Sequence, residues 1–280
     1  MIDLHSHVLP GLDDGAKTFE ESVQMCWISF KDGIRTIVAT PHTLNDVYLN
    51  DRGTILAKVR ELNEALKKFG MRDAGCGVDD VQSEICNLKS GVFLHSALRA
   101  LNSELKIVPG ADVRLCETTL PYLEQGKVTT VGDNGKYVFI EFPFQGIPYW
   151  TGEILFGLMK RGVTPIITHP ERNLEVLRKP ERYYEMIRAG CLGQVTAMSL
   201  TGGFGPEVRR VAEKLLANRL IHFIASDAHS IHGRPPILSQ AVKIAERIIN
   251  REEAWKMVKE YPRAILEGRK PDVPDPIPIR

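Results

Sequence analysis

Seven short stretches of the chain concentrate β-branched and apolar residues: 2–5, 34–39, 106–115, 137–142, 164–168, 191–197 and 221–226. Between them the pattern changes period. Residues 20–31, 151–161, 180–189 and 206–217 place apolar side chains three and four apart, as a helix with one buried face requires. Gly33, Gly162 and Gly190 each follow such a helical pattern and precede a strand, where a left-handed cap ends a helix. Strand and helix alternate, which predicts an α/β fold with a parallel sheet, closed as a TIM-like barrel of seven or eight βα units.

One region breaks the rhythm. Residues 60–67 (RELNEALK) and 99–106 (RALNSELK) share R-x-L-N-x-x-L-K, and the stretch between them joins no obvious strand. This predicts a helical insertion at about 70–100, before the third strand. The shared positions do not require a duplicated helix, because Leu, Glu and Lys are common on any amphipathic helix. Residues 271–280 (PDVPDPIPIR) read as an extended Pro-rich tail, leaving 1–270 as a single domain.

A length of 280 residues suits one large core, and 43% hydrophobic with 25% charged residues is ordinary for a globular protein. Lys plus Arg (36) nearly equal Asp plus Glu (35), so no overall electrostatic footprint for nucleic acid or anionic lipid is present. No apolar run approaches the roughly 20 residues of a membrane-spanning helix. Residues after Met1 already read as a strand, so no membrane insertion and a cytoplasmic location are expected. Cys26, Cys76, Cys86, Cys116 and Cys191 are odd in number and lack a C-x-x-C pair, which favours reduced, buried thiols over a disulfide framework or a zinc ribbon.

The chemistry lies at the strand ends. His5 and His7 alternate on the first strand, so both imidazoles project from one face, with Asp3 in line below them. A lone H-x-H pair is as often packed as ligating. Here it has company: His42 follows the second strand, Asp112 lies in the third, His169 follows the fifth, and Asp227 and His229 follow the last. In a parallel barrel these C-terminal ends converge on one mouth. Five of the eight histidines therefore meet there, while His95, His222 and His232 do not; His222, inside a strand, reads as a packed residue. Imidazoles mixed with carboxylates suit Mn²⁺, Fe or Zn²⁺. The donors outnumber the needs of one ion, and two or three ions sharing a carboxylate can activate water and clamp phosphate oxygens. Arg172 and Arg234 lie near the same mouth by sequence and could bind phosphate through paired hydrogen bonds.

Taken together, DLHSHVLPGLDDGAKTFEES, ATPH, EFPF, HPERN and SDAHSIHGRPP resemble the polymerase and histidinol phosphatase (PHP) metal-dependent phosphoesterases. More narrowly, they are similar to the bacterial tyrosine-protein phosphatases of capsular and exopolysaccharide synthesis. The resemblance implies a distorted (β/α)7 barrel, the PHP fold, with two or three ions, usually manganese. His5, His7, Asp112 and Asp227 would hold the first ion. Asp112 would bridge to a second shared with His169, and Asp14, His42 and His229 would hold the third. Arg234 would bind the phosphate and, with Asp227, carry the catalytic step. A phosphotyrosine protein, a bacterial tyrosine kinase, would be the partner. Cysteine chemistry is excluded, since no cysteine heads a C-x₅-R motif.

Three positions depart from the family pattern. The third-strand motif reads Gly110, Ala111, Asp112 where G-Q-E is usual, so the bridging carboxylate is one methylene shorter. After EFPF, Gly146 stands where the family has a ligand histidine, and Tyr149 where it has an arginine. These changes predict a weakened second ion site, for which Glu141 or a water could substitute. They also leave open two alternatives: a phosphatase for a small metabolite such as histidinol phosphate, or a relative that binds metal or phosphoprotein with little turnover.

Overall fold

The computed structural model describes residues 1–45, 47–70 and 105–279. Among the described residues nine parallel strands form the centre: β1 (Ile2–Ser6), β2 (Thr36–Ala39), β3 (His42–Thr43), β4 (Lys106–Pro109), β5 (Asp112–Arg114), β6 (Tyr137–Glu141), β7 (Thr164–Thr168), β8 (Leu192–Thr196) and β9 (Phe223–Ala225). They make two sheets, ordered β1-β2-β4 and β3-β5-β6-β7-β8-β9. Helices cover the outside, among them Phe19–Lys31, Thr151–Lys160, Glu181–Arg188 and Pro206–Ala217, within a residue of the helical periods in the sequence. Strand centres such as Phe139, Ile140, Ile166, Ile167 and Ile224 are fully buried. That continuous apolar run is what a parallel sheet packed on both faces demands.

The expected third strand, 106–115, is two strands. Pro109 lacks the N–H a ladder needs, and a Cβ on Gly110 would lie 2.7 Å from Val38 Cγ1, so the chain passes close against β2 and leaves the first sheet. Likewise Pro41 separates β2 from β3. The consequence is functional: β3 and β5 pair with His42 opposite Asp112 in register. On the other side, His7 N donates to Ala228 O at 2.9 Å and Asp227 N to His5 O at 2.8 Å, joining the end of β1 to the loop after β9.

Gly33, Gly162 and Gly190 adopt positive φ (90°, 75° and 113°), as the helix ends require. The sequence periodicity did not single out the helices Leu174–Arg178, Ala197–Thr201, Ser239–Ile249, Arg251–Lys256 and Glu260–Leu266, most of them too short to show a period. Of the R-x-L-N-x-x-L-K segments, the first lies in helix Arg52–Gly70, and most of the second lies outside the described residues, as does nearly all of the expected insertion. In the tail, Ile277 N donates to Asn218 O at 2.9 Å, and Val273 and Ile279 pack against the core.

Candidate metal centre

The strand ends bring together His5, His7, Asp14, His42, Asp112, His169, Asp227 and His229. Donor atoms of His7, Asp14, His42 and His229 lie within 4.8 Å of one another, as do those of His5, His7 and Asp112, and those of His42, Asp112 and Glu141. Asp112 Oδ2 sits centrally, 3.7 Å from His5 Nε2, 3.4 Å from His42 Nδ1 and 3.8 Å from His169 Nε2. Asp227 Oδ1 is 3.5 Å from His5 Nε2 and 3.4 Å from His7 Nε2. Asp14 Oδ1 is 3.5 Å from His42 Nε2 and 3.6 Å from His229 Nε2. His5, His7, Asp112 and Asp227 are buried, whereas the Asp14 side chain is half exposed, so the cluster runs from the core to an open mouth.

The imidazoles are oriented from behind. His5 Nδ1 meets the Gln194 Oε1 acceptor at 3.0 Å, His7 Nδ1 meets Asp13 Oδ2 at 2.7 Å, and His229 Nδ1 meets the Asp227 carbonyl at 2.9 Å. Each of these rings therefore spends Nδ1 on the protein and turns Nε2 toward the carboxylates, the orientation that a metal-ligating histidine needs. Asp13 and Gln194 had no signal in the residue pattern beyond the doubled Asp of DDG and the strand alternation. Asp3 does not touch the imidazoles. Its carboxylate accepts from Ser226 N at 2.9 Å and Ser226 Oγ at 2.5 Å, fixing the turn that carries Asp227.

Charges follow the geometry. Burial lowers the His5 pKa to about 4 even though Asp112 and Asp227 favour the proton. Burial also opposes charge on His7, but Asp13 and Asp227 outweigh it and hold the ring up to about 10. Asp112 is buried as well, yet His5, His42 and His169 draw its carboxyl well below the usual range. Asp227 is held low in the same way, Arg234 being the strongest influence against burial. Burial lifts Asp3 to about 6 against the Ser226 hydrogen bonds.

The donor set fits divalent cations. Asp112 Oδ2 and His42 Nδ1 are buried without a hydrogen-bond partner, facing the centre of the cluster. Unpartnered buried donors and acceptors are costly unless something satisfies them. Backbone strain marks the same place: His169 and Asp227 adopt φ of 34° and 51°, in the left-handed region that non-glycine residues seldom occupy.

Glu141 joins the cluster, with Oε2 3.8 Å from His42 Nδ1 and Oε1 4.0 Å from His169 Nε2. By contrast, a Cβ at Gly146 would meet the Glu175 carboxylate at 3.2 Å and no atom of the cluster within 4 Å. Tyr149 is 91% exposed. Arg172 Nη1 donates to Asp227 Oδ2 at 2.8 Å, and Arg234 Nη2 donates to the same oxygen. Asp227 thus presents one oxygen to the imidazoles and the other to two guanidiniums. A recess of about 40 Å³ between Glu141, His169, Arg172 and Phe144 adjoins the cluster.

His222 is buried outside the site, its Nδ1 accepting from Gly193 N at 3.0 Å, and burial lowers it to about 4. His232 is exposed, and His95, Cys76 and Cys86 lie outside the described residues. Cys26 and Cys191 are free and buried, which pushes both thiols up to about 12.

Comparison with known proteins identifies the family. The family described as "Capsular polysaccharide synthesis, CpsB/CapC" matches residues 1–74 and 80–267. The chain belongs to the CpsB/CapC family. Among its CpsB/CapC relatives, tyrosine-protein phosphatase YwqE of Bacillus subtilis is 30% identical over 280 residues, covering 100% of this chain and 97% of YwqE. Tyrosine-protein phosphatase CpsB of Streptococcus agalactiae is 28% identical over 274 residues, covering 96% and 99%. A chain from the crystal structures of YwqE from Bacillus subtilis and CpsB from Streptococcus pneumoniae, described as unique metal-dependent tyrosine phosphatases, superposes with a TM-score of 0.84 at 29% identity and covers 100% of both chains. A phosphotriesterase homology protein from Escherichia coli reaches a TM-score of 0.50 at 15% identity, a likeness of fold alone.

Proposed function

We propose that this CpsB/CapC chain is a metal-dependent phosphomonoesterase acting on phosphotyrosine in a protein. One observation carries the reading: three imidazoles with Nδ1 fixed from behind turn Nε2 toward shared carboxylates, beside two arginines anchored on Asp227. His5, His7, Asp112 and Asp227 would hold one ion; Asp112, His169 and Glu141 a second; and Asp14, His42 and His229 a third. In this reading the Glu141 carboxylate takes the place of the ligand that Gly146 cannot supply, so the second position is kept. The residues are nitrogen and oxygen donors without thiolate, which suits Mn²⁺ before Fe or Zn²⁺. When bound, such ions lower the pKa of water and neutralise phosphate oxygens.

The protein's own contribution is placement. Arg172 and Arg234, about a quarter exposed, stand at the rim with N–H groups left for phosphate oxygens, and their planar forks suit a group whose charge spreads during hydrolysis. Asp227 holds both guanidiniums in register with the imidazoles. The mouth is open at Asp14, whose side chain is half exposed, which suits a phosphate presented on a protein. The substrate we infer is the phosphotyrosine-bearing tail of a bacterial tyrosine kinase. No described helix is long and apolar enough to cross a membrane, and we place the protein in the cytoplasm with that kinase tail. We further read the two parallel sheets as the distorted seven-unit barrel and residues 1–270 as one domain.

The test is hydrolysis of a phosphotyrosine peptide by metal-stripped protein titrated with Mn²⁺, with bound metal counted by mass spectrometry at each point. Turnover rising with bound manganese is expected. Bound metal with turnover of histidinol phosphate alone would replace this reading with the metabolite phosphatase, and bound metal with no turnover of either would replace it with the binding-only relative.

A further inference from the structure

The two arginines at the mouth share a platform. Arg172 Cζ lies 4.6 Å from the centre of the Phe204 ring and Arg234 Cζ lies 5.6 Å from it. We propose that Phe204 is the positioning residue that holds both guanidiniums for the substrate phosphate. Two cations side by side repel, and Asp227 Oδ2 neutralises only their edges. An aromatic face, with its negative quadrupole, offers a second attraction to both while leaving their outward N–H groups free. Arg234 Nε is buried and has no partner in the protein.

The loop is built to deliver that ring. Phe204 stands in the sequence TGGFGP, between helices Ala197–Thr201 and Pro206–Ala217. Gly202 takes φ of 88° as the cap of the first helix, and Gly205 takes φ of 93° before the Pro206 that starts the second. Gly203 lies so close to the first helix that a Cβ there would come 2.5 Å from Met198 Cε, and its N–H donates to Met198 O at 2.8 Å. The buried Glu171, next to Arg172, ties this loop to the arginine's own turn. Its Oε1 accepts from Thr196 N at 3.0 Å and Ser199 Oγ at 2.6 Å. One carboxylate therefore fixes the turn that carries Arg172 relative to the helix that leads to Phe204.

The inference rests on the mouth being a phosphate site, and its test does not need turnover. Inorganic phosphate is titrated calorimetrically into manganese-loaded protein carrying Phe204→Leu, Phe204→Ala, Phe204→Tyr or Phe204→Trp. Leu fills the space without the quadrupole, so Phe204→Leu is expected to weaken phosphate binding about tenfold, with Tyr or Trp restoring it. Manganese stoichiometry and the thermal midpoint of Phe204→Leu should match the wild type, and KM for a phosphotyrosine peptide should rise with phosphate Kd. Wild-type phosphate affinity in Phe204→Leu would reduce the ring to packing and overturn the proposal, even if Phe204→Ala is impaired. Absence of phosphate binding by the wild type would overturn it as well. Weakened phosphate binding in Phe204→Leu, in a protein that hydrolyses no phosphotyrosine, would uphold Phe204 and remove only the phosphatase reading.

Discussion

His7 Nδ1 lies 2.7 Å from Asp13 Oδ2, and the same carboxylate accepts from Gly15 N at 2.9 Å and His42 N at 3.0 Å. Asp13 therefore fixes a ring from one strand and the backbone of another. A carboxylate behind a metal-ligating imidazole sets its orientation and raises its basicity, and removing such a partner costs 10- to 100-fold in metal affinity. Asp13→Asn is expected to weaken Mn²⁺ binding within that range while preserving the fold. Calorimetric titration alongside circular dichroism would measure both, and unchanged affinity would remove Asp13 from the site.

Glu141 and Gly146 make opposite predictions about the second ion. The Glu141 carboxylate lies at 3.8 and 4.0 Å from two imidazoles of the cluster, whereas position 146 faces Glu175. Glu141→Gln should lower manganese stoichiometry by about one equivalent, because affinity depends on ligand number and charge. Gly146→His should leave stoichiometry unchanged. Counting metal by mass spectrometry after equilibrium dialysis decides it; a gain of one ion in Gly146→His would make the glycine a lost ligand after all.

Seven of the eight expected site residues could be collected from spacing, because a parallel sheet sends all C-terminal strand ends to one side; Asp14 entered only through the resemblance of its DDG motif. What spacing cannot show is lateral. Asp13 adjoins Asp14 in the chain yet turns behind the site, and Gln194 reads as one more polar position on a strand. Seven strand stretches were legible too, but the short β3 was not, nor was the break at Gly110. It arises from a Cβ-free approach to Val38, a contact between strands about 70 residues apart. Phe204 carries no titratable group and so leaves no chemical mark in the sequence.

His222 makes stability depend on pH away from the site. Burial lowers its folded pKa to about 4 from an unfolded value near 6.5. As pH falls the unfolded chain takes up the proton first, so the stability from neutral His222 is full above pH 6.5 and is lost between 6.5 and 4. The linkage is worth about 3 kcal/mol over that window. His222→Gln retains an acceptor for Gly193 N but cannot charge. Urea unfolding at pH 7, 5.5 and 4.5 should show a smaller loss in the variant, and parallel losses would assign the titration elsewhere.

Gly193 is a packing constraint with a functional consequence. A Cβ there would fall 2.1 Å from Tyr183 Oη and 2.4 Å from Leu220 O, and that hydroxyl itself donates to Leu220 O at 3.0 Å. Tyr183 is fully buried and cannot swing out. Gly193→Ala must therefore push β8 away from the segment that leads into β9, at a cost of about 3 kcal/mol, the upper part of the range for overpacking. Adding Tyr183→Phe removes the Oη clash but not the carbonyl, so the double variant should recover only part of the loss. Because the next residue, Gln194, holds His5 Nδ1 at 3.0 Å, the displaced strand should also weaken manganese binding. Denaturant unfolding and metal titration on both variants test the coupling: stability lost with metal affinity intact would separate this strand's packing from the orientation of His5.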